Sequence, residues 1–118
     1  MKMRIQGNAI RFRLNRREVE QLSSSGRVSD STQFPGGAVL TYTVELAPGA
    51  TEIEASYNPG EIRIRAPREL ARQWAETDQA GMTANRAGLE IAVEKDFQCL
   101  HKGKGDPEAF PNPMAVPS

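Results

Sequence analysis

Two potential metal ligands, Cys99 and His101, stand close together late in the chain. If this segment is extended, alternate residues point to the same side of a strand, so the two side chains share a face. A thiolate and an imidazole can begin a zinc, iron or copper site, but zinc usually takes three or four protein ligands. With no second cysteine or histidine in the sequence, a divalent metal would also need Asp96, Asp106 or Glu108, or a second subunit. The competing interpretation is a cysteine packed as a small hydrophobic side chain beside a partly solvated histidine.

Cys99 is also a candidate nucleophile, with His101 or Lys95 to activate its thiol. Residues i and i+2 of a strand lie roughly 7 Å apart, which is beyond hydrogen-bond reach. No other motif supplies the remainder of a catalytic site, so the sequence favours a non-catalytic binding or interaction module without a cofactor. The alternative is a small metal- or phosphate-dependent enzyme, or a metal-binding protein, with a site around Glu94, Asp96, Cys99 and His101.

Arginines alternate with apolar residues in two predicted hairpins, at Arg4, Arg11, Arg13, Arg63 and Arg65. This alternation places the guanidinium groups on the face opposite the apolar residues, where they could converge on a phosphate or a carboxylate. Several glutamates follow the same alternation. The competing interpretation is therefore a solvated face whose ion pairs contribute little to stability. We treat the five arginines as candidate ligand-binding residues for a small anion or an unidentified protein partner.

The overall charge disfavours two classes of partner. Fifteen Lys and Arg balance fifteen Asp and Glu, so no net field draws the molecule to nucleic acid or to an anionic membrane. The basic residues that precede Glu18 could meet phosphates locally, but most of the few aromatic side chains are needed for the core rather than for stacking on bases. We therefore expect neither nucleic acid nor a membrane as a partner.

Two further features indicate the compartment. No uninterrupted apolar stretch approaches the length of a signal-peptide core or a membrane span. The single cysteine, Cys99, cannot form an internal disulfide, which is consistent with a reducing environment. We predict a cytoplasmic protein.

Turn residues divide the chain into short strands and two helices. An alternating segment over 1–14, interrupted at Gly7-Asn8, predicts a hairpin. Asn15 and Glu18 form a capping-box pattern, so a helix is expected over 15–24, before Gly26. Strands are expected at 27–33 and 39–46, which completes a ββαββ unit. The same order follows, with strands at 52–57 and 61–66, a helix opened by Pro67, a short strand near Met82 and a strand from Leu89.

The two halves also share residues. At a constant offset of 52, segment 10–22 matches segment 62–74 at five of thirteen positions; after a three-residue slip, segment 38–45 matches 87–94 at four of eight. We predict an α+β fold in which duplicated ββαββ halves form a mainly antiparallel sheet or a partly closed barrel with two helices. Residues 1–101 would be one pseudo-twofold domain with halves of about 1–49 and 50–101, and an uncovered face or edge would admit a homodimer. Residues 102–118, rich in proline and glycine, would form an irregular tail.

The same alternation predicts the core. The strand positions expected inside are Met3, Ile5, Ile10, Phe12, Ile53, Tyr57, Ile62, Ile64, Leu89, Ile91 and Val93. The helix positions expected to cover them are Val19, Leu22, Leu70 and Trp74.

Three motifs resemble those of an uncharacterised bacterial family of small proteins of unknown function. They are the opening Lys-x-Arg-Ile-x-Gly-Asn, the segment Glu-Lys-Asp-Phe-x-Cys-Leu over 94–100, and the ending Phe-Pro-Asn-Pro over 110–113. The resemblance covers nearly the whole chain and implies a bacterial, single-domain protein. The family brings no established activity, cofactor or catalytic residue, so functional arguments rest on the residues themselves.

Overall fold

The chain follows the order ββαββ twice in a computed structural model that describes residues 1–97 and 110. The first half contains β1 (Lys2–Gln6), β2 (Ala9–Leu14), α1 (Arg16–Ser25), β3 (Arg27–Gln33) and β4 (Val39–Ala47). The second half contains β5 (Glu54–Asn58), β6 (Glu61–Pro67), α2 (Arg68–Glu76), β7 (Gly81–Arg86) and β8 (Leu89–Lys95). The predicted α+β class and the repeated element order are confirmed.

The strands form two four-stranded mixed sheets. The first sheet has the order β1-β2-β8-β7 and the second has the order β3-β4-β6-β5. Four of the six strand pairs are antiparallel hairpins, as expected, but the central pairs β2-β8 and β4-β6 are parallel. Each sheet therefore joins a hairpin from one half to a hairpin from the other. The described strands form no closed barrel, and exchanging the halves converts one sheet order into the other.

Helix α1 begins and ends at the residues that the sequence marks. The Glu18 amide donates to Asn15 Oδ1 at 2.9 Å, and the Asn15 amide donates to Glu18 Oε1 at 3.0 Å. This reciprocal pair satisfies two amides that would otherwise lack partners at the helix start. Gly26 ends the helix with a φ of 81°, and its amide donates to the Leu22 carbonyl at 2.9 Å. A left-handed residue at this position favours glycine.

One hydrophobic core lies between the two sheets and the helices. The first sheet contributes Phe12, Leu14, Ile91 and Val93, the second contributes Val28, Val44, Ile64 and Ala66, and the helices contribute Val19, Leu22, Ala71 and Trp74. The buried Trp74 indole N–H donates to the Ala80 carbonyl at 3.2 Å, so its polar atom is satisfied. The sheets therefore pack face to face through their apolar sides, and each has one outward face.

The predicted core is wrong at two positions, Ile5 and Tyr57. Their exposed fractions are 58% and 71%. Both lie near the ends of strands β1 and β5, each of which is the edge of its sheet. Alternation assigns a side chain to a face of the sheet, but burial also needs a neighbour to cover it, and an edge strand has a neighbour on one side only.

Neither described helix could cross a membrane, because both are too short and too polar.

Candidate functional site

The five predicted arginines divide between the outward faces of the two sheets. Arg4, Arg11 and Arg13 belong to the first sheet, whereas Arg63 and Arg65 belong to the second. Side chains next to them in sequence, such as those of Phe12 and Ile64, are fully buried in the shared core. Alternation therefore turns the arginines away from the core, and the two groups do not converge on one ligand.

Strand register arranges the outward residues of the first sheet in three rows across β1, β2, β8 and β7. The row nearest the hairpin turns is Gln6, Ala9, Glu90 and Asn85; the next is Arg4, Arg11, Ala92 and Thr83; the last is Lys2, Arg13, Glu94 and Gly81. Four cations stand on β1 and β2, and two carboxylates stand on β8, for a net charge of +2. Positive charge therefore lies on the β1–β2 side of this face, and negative charge lies on the β8 side.

Hydrogen bonds between the turns fix this register. The Asn8 side-chain amide donates to the Gly88 carbonyl at 2.7 Å, and the Glu90 amide donates to the Asn8 carbonyl at 3.0 Å. The β7–β8 turn is built from Ala87 and Gly88, with φ values of 53° and 89°. Two successive left-handed residues suit the tight turns that connect antiparallel strands. These contacts hold the first row of outward residues in place.

A cavity of about 500 Å³ lies over the first two rows. Its polar lining includes Arg4, Gln6, Arg11, Thr83, Asn85, Glu90 and Glu94. Ala9 and Ala92 also line it, and their small side chains leave room between the longer ones. Small-molecule sites commonly occupy roughly 300–1,000 Å³, so this half-open cavity is large enough to admit a small molecule.

The arginines around this cavity are incompletely neutralised. Arg11 Nε and Arg13 Nε approach the same oxygen, Glu94 Oε1, at 3.4 and 3.7 Å. Arg4 Nη2 donates to Gln6 Oε1 at 3.3 Å, and the described residues give it no ion-pair partner. Arg11 and Arg13 thus share one carboxylate, and Arg4 has none among the described residues.

The corresponding arginines of the second sheet each lie beside a carboxylate, although the buried Arg63 Nε makes no hydrogen bond within the described part of the chain. Arg63 Nη2 donates to both oxygens of Glu61, at 3.0 and 3.1 Å. Glu45 then approaches Arg63 Nε at 3.5 Å through one oxygen and Arg65 Nε at 3.6 Å through the other. The hydrogen bond to Glu61, followed by the charges of Glu61 and Glu45, raises the pKa of Arg63. Two carboxylates therefore serve two arginines.

The outward face of the second sheet has three rows in equivalent positions. They are Asn58, Glu61, Thr41 and Ser31; Ser56, Arg63, Thr43 and Ser29; and Glu54, Arg65, Glu45 and Arg27. Three cations and three carboxylates alternate here, for a net charge of zero. Row by row, Ala9 replaces Glu61, Ala92 replaces the buried Thr43, and Arg4 replaces Ser56. Glu90 also replaces Thr41, Lys2 replaces Glu54 and Gly81 replaces Arg27. Over the three rows, the first sheet therefore has one more cation and one fewer carboxylate than the second, and it is less crowded at Ala9 and Ala92.

Sequence reasoning missed three polar residues of the cavity, which are Gln6, Thr83 and Asn85, and it placed Glu90 on the charged face without assigning it to a site. Gln6 shares the alternation of Arg4 on the same strand, which could have identified it. Thr83 and Asn85 come from β7, and the parallel pairing of β2 with β8 brings this strand close to the arginines. A pairing between residues some eighty positions apart leaves no local signal in the sequence.

Of the predicted metal ligands, Cys99 and His101 lie outside the described residues. Asp96 is buried, and its Oδ2 accepts from Lys2 Nζ at 2.8 Å. Its backbone amide donates to the Leu14 carbonyl at 2.9 Å, and its carbonyl accepts from the Phe110 amide at 2.8 Å. Residues 1–97 and 110 contain no group of three potential ligands that could hold a metal ion. The contacts of Asp96 connect β1, β2 and Phe110.

Lys95, the other predicted activator of Cys99, is held in place by contacts with the end of α2 and with Phe110. Its buried Nζ donates to the Thr77 carbonyl at 2.5 Å, just beyond the end of α2. The Phe110 ring centroid lies 5.4 Å from the same nitrogen. Burial lowers the pKa of Lys95, and the charge of Asp78 opposes this effect.

Comparison with known proteins finds a matching family whose function is unknown. The model of DUF7009, a family of unknown function, matches residues 1–114, which agrees with the resemblance to an uncharacterised family. No curated protein matches the chain, and no solved structure does.

Proposed function

Because the chain belongs to DUF7009, a family of unknown function, we propose its function from geometry: it is a small, non-catalytic binding module that holds an anionic ligand on the outward face of the first sheet. Arg4 and Arg11 bind the anionic group, and Arg13 adds positive charge beside them. Guanidinium groups suit this role because they make charge-assisted, often bidentate, hydrogen bonds to carboxylates and phosphates.

The difference between two equivalent sheets carries this proposal. Where Arg63 has Glu61 as an internal partner, Arg11 has Ala9 two residues before it and space for an external group. Arg63 Nη2 is bound to both oxygens of Glu61, so Arg63 has less left for a ligand than Arg11, which approaches Glu94 through Nε at 3.4 Å. The second sheet is therefore an internal comparison, because it has the carboxylate of Glu61 at the position that Ala9 occupies in the first sheet.

The pairing of Arg4 with Arg11 also lowers the stability of the fold, and a bound anion would relieve this cost. Arg4 and Arg11 are direct cross-strand partners, and like charges in this position repel each other. An anion between them removes the repulsion and adds two attractive contacts. Such local conflicts are expected at functional sites.

Isothermal titration calorimetry with citrate and with inorganic phosphate at low ionic strength tests the proposal. Arg4→Gln combined with Arg11→Gln should abolish binding, because both guanidinium groups are lost. The matched control, Arg63→Gln combined with Arg65→Gln, removes the same charge from the second sheet and should leave the affinity unchanged. Equal losses from the two double variants, or no binding by the wild type, would overturn the proposal.

We place this function in the bacterial cytoplasm and trace the two halves to one duplicated ββαββ unit. The lone Cys99 supports a reducing compartment, and the resemblance of the three sequence motifs supports a bacterial origin. The repeated residues at an offset of 52 and the interchangeable strand orders support the duplication.

A further inference from the structure

The cavity on the first sheet has a second charged side. Glu90 lines it from β8, and its register neighbours are Ala9 on β2 and Asn85 on β7. Glu90 is exposed and has no ion-pair or side-chain hydrogen-bond partner among residues 1–97 and 110. This carboxylate is therefore available to a ligand, just as Arg4 is on the opposite side.

We infer that the ligand is a small zwitterion, which carries an acidic group for Arg4 and Arg11 and a primary amine for Glu90. This inference rests on the proposed function, because it assigns the second end of the same ligand. A purely anionic ligand would gain from the arginines but would face repulsion from Glu90. An ammonium group turns that repulsion into a charge-assisted hydrogen bond.

The neighbouring polar residues fit an amine at this end. Asn85 is the register partner of Glu90, and its side-chain oxygen accepts from the Gly88 amide at 3.2 Å and keeps a second lone pair. The exposed hydroxyl of Thr83 stands one row away and can also accept a hydrogen bond. Acceptors thus predominate on β7 and β8, and donors predominate on β1 and β2.

Strand spacing limits the length of the ligand. Neighbouring strands lie about 4.8 Å apart, so β8 is roughly 5 Å from β2 and roughly 10 Å from β1. The arginine side chains reach from β1 and β2 toward the cavity. A ligand that contacts both sides therefore needs its acidic group and its amine separated by a short linker of a few bonds.

The probes are matched pairs that differ only in the amine. Glycine, β-alanine, aminobutyrate and aminohexanoate are each compared by calorimetry with the unsubstituted acid of the same length: acetate, propionate, butyrate and hexanoate. At the best length, the amino acid should bind roughly tenfold more tightly than its plain acid, which is the scale of one charge-assisted hydrogen bond. Phosphoethanolamine in the same assay distinguishes a phosphate from a carboxylate as the acidic group.

Glu90→Gln should reduce the affinity for the best amino acid to that for the plain acid. Glu54→Gln, an exposed site on the second sheet, is the charge-matched control and should keep the preference. Both positions are exposed, so the thermal midpoints should stay close to that of the wild type.

The outcomes separate the two claims. If plain acids bind as tightly as amino acids, or if Glu90→Gln leaves the preference intact, the zwitterion inference is wrong while the anion site stands. If neither series binds and citrate does not bind either, the proposed function itself fails.

Discussion

Ala9→Glu should close the anion site with a carboxylate from the protein itself. In the second sheet, Glu61 stands two residues before Arg63 and makes hydrogen bonds of 3.0 and 3.1 Å to its guanidinium group. Ala9 stands in the same relation to Arg11 on β2. The substitution therefore introduces the missing internal partner and lowers the net charge of this face from +2 to +1.

The size of the effect follows from electrostatics. A unit charge about 5 Å from the ligand's anionic group contributes about 3 kcal/mol at an effective dielectric constant of ~20 and about 1 kcal/mol in bulk water. These values correspond to a loss of roughly 5-fold to 150-fold in affinity. The new ion pair is exposed and should change the free energy of unfolding by no more than about 1 kcal/mol.

Calorimetric titration with citrate measures the loss, and urea unfolding checks that the fold is intact. Ala9→Gln is the matched control, because glutamine has nearly the same size as glutamate but no charge. We expect it to retain more affinity than Ala9→Glu. An Ala9→Glu variant that binds citrate as tightly as the wild type would refute the view that Arg11 can bind a ligand because Ala9 stands where the second sheet has a glutamate.

Three further predictions concern stability. Burial lowers the pKa of Lys95 below its ordinary value of 10.5, so between these two values the unfolded chain holds more protons than the folded one. The stability of the wild type relative to Lys95→Met should therefore rise with pH across this range in urea unfolding, and parallel pH profiles would contradict it. Asn15→Ala removes the capping bond to the Glu18 amide and should cost about 0.5–2 kcal/mol in thermal unfolding; an unchanged midpoint would mean that the cap is dispensable. Ile5→Ser and Tyr57→Ser remove exposed side chains and should each change stability by less than about 0.5 kcal/mol, whereas a cost of several kcal/mol would place them in the core.

Local features of the fold could be predicted from the sequence because they depend on neighbouring residues. The capping pair of Asn15 and Glu18 and the left-handed Gly26 define α1 through contacts within a few positions. The hairpins follow from alternation on either side of turn residues such as Gly7 and Gly60. These features gave the correct element order and most of the core.

The assembly of the hairpins into two sheets could not be predicted in the same way. The β2-β8 and β4-β6 pairs are parallel and join different halves, and alternation fits equally well with one sheet or two. The division of the arginines follows from this assembly. Arg11 and Arg63 are equivalent in the sequence, but they occupy different sheets and have different partners.

The candidate site could be predicted only in part, because it also depends on how strands from the two halves pair. Arg4 and Arg11 were identified because arginine on an alternating strand is visible in the sequence. Ala9 and Ala92 were not, since an alanine becomes informative only when the equivalent position is known to hold Glu61 or Thr43. The site is thus defined as much by small residues as by charged ones.

We propose that the outward face of the first sheet binds anions and that the outward face of the second sheet does not. The most direct test is a titration of ¹⁵N-labelled protein with citrate, followed through the backbone amide resonances. We expect chemical-shift changes concentrated at the amides of Ala9, Arg11 and Ala92, with those of Arg63 and Thr43 unchanged at the same citrate concentrations. Shifts of equal size on both sheets, or none on the first sheet, would contradict it.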